Sequence, residues 1–244
     1  MALGLALVAP GVAEAFWEAA RALLHDETIY PRLVVGGILG AALDRVVFER
    51  MRVYGVFMHE LTHAAAALLM GRRVKKMTYG AEGGRVVHRG GFGGAAGDIF
   101  ISLAPYVFPL FAAALVGARP WIAAALPGGG VVAFDVLLGG VMKLQFLRCM
   151  HDLWNNWRGE ASDRVRGKLR TDIEKNGTAF SMLYVGVAGL AVWGVLCAML
   201  TGGYAGAALW GEIVAARTQA VAGGLAALAG IETLPDVAGL LGGT

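Results

Sequence analysis

The sequence predicts an all-α polytopic membrane protein of about six transmembrane helices. Three observations lead there. Hydrophobic residues fill 57% of the 244 positions and charged residues only 16%, where soluble domains carry about a quarter; mean hydropathy is +0.61. The excess is organised, since residues 176–211 and 99–118 contain no charge at all, and about 20 apolar residues are what a hydrocarbon core about 30 Å thick requires of a helix. The polar residues fall in short blocks between such runs, as interhelical loops do.

Residues 3–24 form a first membrane or interfacial helix. They lack the basic start of a secretory signal, and Glu14, Glu18 and Arg21 follow at helical spacing. A second helix covers 33–48, after Pro31, and a third 53–70, whose 18 residues span about 27 Å. A glycine-rich insertion fills 71–97, with glycines from Gly90 to Gly97 as its connector. A fourth helix covers 98–116, opened by Asp98 as its N-cap. Pro120 and the Pro127-Gly-Gly-Gly run then mark a turn, and a fifth helix runs from 131 to at least 150. A sixth covers 180–200; 204–216 and 221–229 are short and small-residue-rich. Four regions result: 1–52, N-terminal membrane helices; 53–157, a core; 158–175, a hydrophilic loop; and 176–244, C-terminal membrane helices with a weakly structured tail.

Orientation follows from the basic residues. Arg72, Arg73, Lys75 and Lys76 after the third helix, and Arg158, Arg164, Arg166, Lys168 and Arg170 after the fifth, place both ends in the cytoplasm. Arg50 and Arg52 oppose this assignment. A net charge of +3 spread over loops excludes nucleic-acid binding as a function class. Cys149 and Cys197 lie in apolar segments and read as buried thiols. Oligomeric state leaves no mark on the sequence.

The third helix holds the chemistry. "HELTH" places His59 and His63 four residues apart on one helical face, where two imidazoles can bind one zinc ion. Glu60 stands beside them as general base for a zinc-activated water. An ionisable residue inside a membrane helix costs roughly 2.5–3.5 kcal/mol on insertion scales, and a bound cation offsets three of them.

That helix, followed by "GRRVKKMTYGAEGG", resembles the site-2 protease family of intramembrane zinc metalloproteases, as a minimal, divergent member. "SLAPY" (residues 102–106) loosely resembles the family's glycine-proline signature. The resemblance implies His59 and His63 as zinc ligands, Glu60 as general base, and a β-hairpin, for which 74–79 and 85–88 are the expected strands. It implies that this hairpin is small, membrane-associated and follows the third helix, and that the substrate is a peptide bond in or near a transmembrane segment of a partner membrane protein. Two departures stand out. Thr62 occupies the usual glycine position, and the family's asparagine-proline run ending in leucine-aspartate-glycine, source of the third ligand, has no clear match.

A catalytic zinc needs three protein ligands and an open position. Judged by depth, Asp135 lies near the outer start of the fifth helix, about 25 Å from residue 152. His151 and Asp152 lie about 8–10 Å inside the interfacial Trp154, Trp157 and Arg158, near the depth of His63. Asp152 is the expected third ligand because a carboxylate matches the family's chemistry, and His151 is the alternative. His88 reaches the site only if the hairpin dips into the bilayer. Asn155 and Asn156 are candidates for supporting hydrogen bonds. Lys143, Gln145 and Arg148 either line a hydrated path or, for Arg148, snorkel to the interface. The competing function is a non-proteolytic metal-binding scaffold or transporter-like protein.

Overall fold

The structure is a computed structural model that describes residues 1–43, 52–80, 83–157 and 172–228. In chain order these form α1 (Ala2–Leu24), α2 (Ile29–Leu43), α3 (Arg52–Leu69), β1 (Arg73–Gly80), β2 (Gly83–Arg89), α4 (Gly94–Val107), α5 (Leu110–Ala125), α6 (Gly128–Trp157), α7 (Asp172–Asn176) and α8 (Thr178–Leu228). Among the described residues the fold is helical, as the composition predicts, with one antiparallel hairpin, as the resemblance implies.

By length and composition, α1, residues 128–151 of α6 and residues 178–227 of α8 can each cross a membrane. The pair α4 and α5, bent by 80°, makes a fourth candidate. The sequence suggested about six. α2 is shorter, and α3 is not among the candidates because its central polar residues dilute its hydropathy.

Residues 1–31 and the described part of 186–244 make one compact unit. α1 buries Val12, Ala15, Ala19 and Leu23 at three- and four-residue spacing, the stripe of a helix packed on one face. Gly11 lets it approach Val214 and Arg217, and Glu14 pairs with Arg217. α8 is broken at Gly203, whose φ of 59° suits glycine. The two limbs then pack closely: a side chain at Gly206 would meet the Ala198 carbonyl oxygen at 2.2 Å.

Residues 32–185 make the second unit, which holds the motif. α2 crosses α6 through glycines: a Cβ on Gly36 would lie 1.8 Å from the Val136 carbonyl oxygen, and one on Gly139 2.2 Å from that of Leu33. Small residues of this kind let membrane helices touch backbone to backbone. β1 pairs β2 from Arg73–Arg89 to Gly80–Gly83, with a bulge between Val74 and Lys76.

Three expectations are corrected here. The fourth helix is two, α4 and α5, because Pro105 and Pro109 remove two backbone donors and the chain breaks at Phe108. Pro120 sits inside α5 and marks no turn. Asp98 is not a cap: α4 opens four residues earlier, after positive-φ glycines at 90, 91 and 93, and Asp98 instead pairs with Arg72.

Candidate metal centre

Along α3 the side chains sort onto three faces, as a 100° step per residue dictates. Ala66 and Ala67 are buried against Ile101 and Ala104 of α4. Their small side chains let α4 come close, and His63, one turn earlier on the same side, is brought against its backbone.

The two prolines then become informative. In a regular helix the Ile101 carbonyl would accept the N–H of residue 105. Pro105 has none. The freed oxygen accepts a hydrogen bond from His63 Nδ1 at 2.7 Å. A carbonyl only accepts, so Nδ1 carries the proton and the neutral ring's Nε2 keeps a lone pair for a metal. Pro105's own carbonyl faces Pro109 four residues on, and Cys149 Sγ donates to it at 3.2 Å. Each vacancy left by a proline is thus filled by a side chain from another helix.

His63 Nε2 lies 3.2 Å from His59 Nε2, and 3.5 Å from a carboxylate oxygen of Asp172. The ligand atoms of His59, His63 and Asp172 all fall within 4.8 Å of one another. Two bonds of about 2.0–2.1 Å at a tetrahedral angle separate ligand atoms by about 3.3 Å. Three donors at these spacings fit one metal ion with a position to spare.

Asp172 reaches the site on α7. Ile173 is buried at 1% exposure, Ser181 Oγ donates to its carbonyl at 3.1 Å, and Asn176 Nδ2 donates to Ser102 Oγ on α4 at 3.1 Å. Lys175 Nζ donates to the other Asp172 oxygen at 2.8 Å. Burial raises the Asp172 carboxyl, but when His63 is also protonated at Nε2, with no metal bound, its hydrogen bond and charge and the Lys175 ammonium outweigh burial and hold the group well below the usual carboxylate range.

Glu60 is 7% exposed, on the α3 face that meets the hairpin. A Cβ added to Gly84 at the hairpin tip would fall 2.3 Å from Glu60 Cγ and 2.8 Å from its Oε1. A side chain at this position would push the end of the Glu60 side chain aside. One turn away Phe57 packs edge-on against Tyr79 of β1, with ring centroids 4.9 Å apart. His59 makes a similar contact with buried Tyr106, 5.6 Å between centroids.

The expected residues are distributed as follows. His59, Glu60 and His63 lie together. The side chains of Asp152, Asn155 and Asn156 lie outside the described residues, and His151 is exposed on α6. The third donor in the described cluster is Asp172, from the segment read as a solvated loop. Its one sequence signal is Ile173, the last of three aliphatic residues, with Val165 and Leu169, spaced by four in an otherwise polar stretch. His88 stays on β2 near Arg72 Nη1, 3.5 Å away; burial and that guanidinium push its pKa down. Asp135 is fully buried and bound by Arg32 and Arg119.

In this polytopic helical protein two histidines and a carboxylate, with a buried glutamate beside them, make up a donor set that could hold a metal ion. Residues 33–144 match the family model described as Peptidase M50B-like, so this segment of the chain is similar to the site-2 protease family of membrane metalloproteases. The match includes His59, Glu60 and His63 and ends before Asp172. No curated protein and no solved structure matches the chain.

Proposed function

We propose that the protein is an intramembrane zinc metalloprotease that hydrolyses a peptide bond in or near a transmembrane segment of a partner membrane protein. One observation carries this reading: His59 Nε2, His63 Nε2 and the Asp172 carboxylate converge within 4.8 Å, one residue along the helix from buried Glu60. A zinc ion held by these three donors supplies Lewis acidity, lowering the pKa of water and polarising a carbonyl.

The chain's own groups do the rest. The Ile101 carbonyl fixes the His63 ring, and Lys175 restrains the Asp172 carboxylate by one oxygen. Glu60 accepts the proton of the attacking water at a carboxylate oxygen and returns it to the departing nitrogen, ending the cycle as it began. Its burial under the hairpin excludes bulk water from that transfer. A helical substrate has its carbonyls already hydrogen-bonded, so it must unwind to be cut. Among the described residues each strand of the two-stranded sheet has one unpaired edge, and the tip lies on Glu60. A segment added as a third strand would be extended and led toward the general base. Arg73, Lys75 and Lys76 on β1 favour a cytoplasmic position for this hairpin.

The Glu60→Gln variant tests the reading. Cleavage of a membrane segment should fall about 10²–10⁴-fold while zinc content equals wild type. Undiminished cleavage would remove Glu60 as the base. A fully metallated wild type that cuts no membrane segment would leave the scaffold alternative.

A further inference from the structure

On the α3 face opposite the hairpin, a cavity of about 230 Å³ opens beside His59. It lies between α3, the bend joining α4 to α5, and α6. Its walls are largely apolar, with Met58, Leu115 and Leu144 among them, and it holds two polar side chains from α6, Gln145 and Arg148.

The hydrogen-bonding capacity of these two is one-sided. Gln145 Oε1 already accepts the Ala112 backbone N–H at 2.7 Å, serving the first turn of α5, which leaves its amide N–H₂. Arg148 offers only donors. Thr62 Oγ1 is committed to the Met58 carbonyl at 2.9 Å, and Cys149 Sγ to that of Pro105. Arg148 lies in the cavity wall. Its guanidinium lies against α3, where a Cβ on Gly55 would be 2.3 Å from Nη2 and 2.5 Å from Cζ. Among the described residues no carboxylate is paired with it. Arg32 and Arg119 of the same unit both bind Asp135.

We infer that this cavity is a substrate subsite for an acidic side chain, an aspartate or glutamate of the cleaved membrane segment close to the scissile bond, and that Arg148 is its specificity-determining residue. The inference rests on the proteolytic reading above for the identity of the ligand. A guanidinium among apolar walls is costly until an anion meets it, and a planar carboxylate matches its fork. Donors left unmet reject an analogue that lacks the acceptor charge. The adjoining apolar walls take the aliphatic stem.

The test uses the full-length protein in micelles and a panel of membrane segments carrying Glu, Gln, Leu or Lys at each position near the cut. Wild type should favour Glu over Gln at one position by about 10- to 100-fold in kcat/KM, as a charged hydrogen bond warrants. Arg148→Met should bring that ratio to about one, and Arg148→Glu should shift preference to Lys, with zinc content reporting that both variants fold. Photo-crosslinking of the same panel to Glu60→Gln should give the same ranking without turnover. If no segment is cut yet crosslinking still ranks Glu first, the subsite stands and proteolysis falls. Equal treatment of Glu and Gln by wild type, or a Glu preference that survives Arg148→Met, overturns the subsite. So does Arg148-dependent binding of added oleate with Glu and Gln segments ranked equally, which would make the cavity a lipid carboxylate site.

Discussion

Asp135 and Asp172 each meet basic side chains in the unit formed by residues 32–185, and they are satisfied in opposite ways. Asp135, fully buried on α6, accepts hydrogen bonds from Arg32 of α2 at 3.0 Å and from Arg119 of α5 at 2.8 and 3.2 Å. Both of its oxygens are engaged, and three helices are joined around it close to the glycine crossing of α2 and α6. Asp172 has one oxygen on Lys175, while the other faces an imidazole nitrogen that itself faces a second imidazole. The first arrangement is complete within the protein and locks packing. The second converges three lone-pair donors on a space between them, the arrangement a cation completes. Acidic residues in a membrane protein are therefore separated less by depth than by whether the protein supplies their partners.

The largest effect that would break this comparison is on the metal. Asp172→Ala should reduce zinc from about one per chain to near zero after dialysis and abolish cleavage, because two imidazoles remain where three ligands are needed. Helical circular dichroism and thermal stability without zinc should change little. Full zinc in this variant would return the third position to Asp152 or His151. Asp135→Ala should do the reverse. It leaves two guanidiniums without their anion, a loss of about 3–5 kcal/mol, read as a lower unfolding midpoint in detergent. Zinc bound per folded molecule should be unchanged.

How much of this was legible in the sequence depends on how local the cause is. "HELTH" on a helix needs only a four-residue spacing, so His59, Glu60 and His63 could be placed from the string alone. The hairpin could be read likewise, because Glu82-Gly83-Gly84 splits two short β-prone runs. Asp172 could not. It is 109 residues from His63 and arrives on a five-residue helix whose docking depends on Asn176 meeting Ser102 and on a cleft for Ile173. Val165, Leu169 and Ile173 share a four-residue spacing, but nothing in that pattern names a partner 109 residues away. Depth arguments searched α6 because it was long and visible in the hydropathy. The break between α4 and α5 was readable in principle, since prolines four apart remove successive helical donors, but the uncharged run concealed it. Arg148 illustrates the remaining limit: the sequence does not reveal that its guanidinium packs against Gly55 in a cavity wall.

The smallest predicted effect is the most particular to this fold. Pro105→Ala restores an N–H four residues after Ile101, and α4 then satisfies its own carbonyl. His63 Nδ1 loses an exclusive acceptor and must share it or turn, so its ring is held less firmly and either nitrogen can carry the proton. Partners of metal-binding histidines are worth about 10–100-fold in affinity. Because a shared carbonyl still accepts, the lower end is expected here, about tenfold weaker zinc binding in a chelator competition. α4 itself should gain helical stability, since alanine replaces proline in its interior. Weaker metal in a more stable helix is an opposition that general damage to the fold does not produce. If zinc affinity is unchanged, the Ile101 carbonyl does not orient His63, and the proline serves only to bend the chain toward α5.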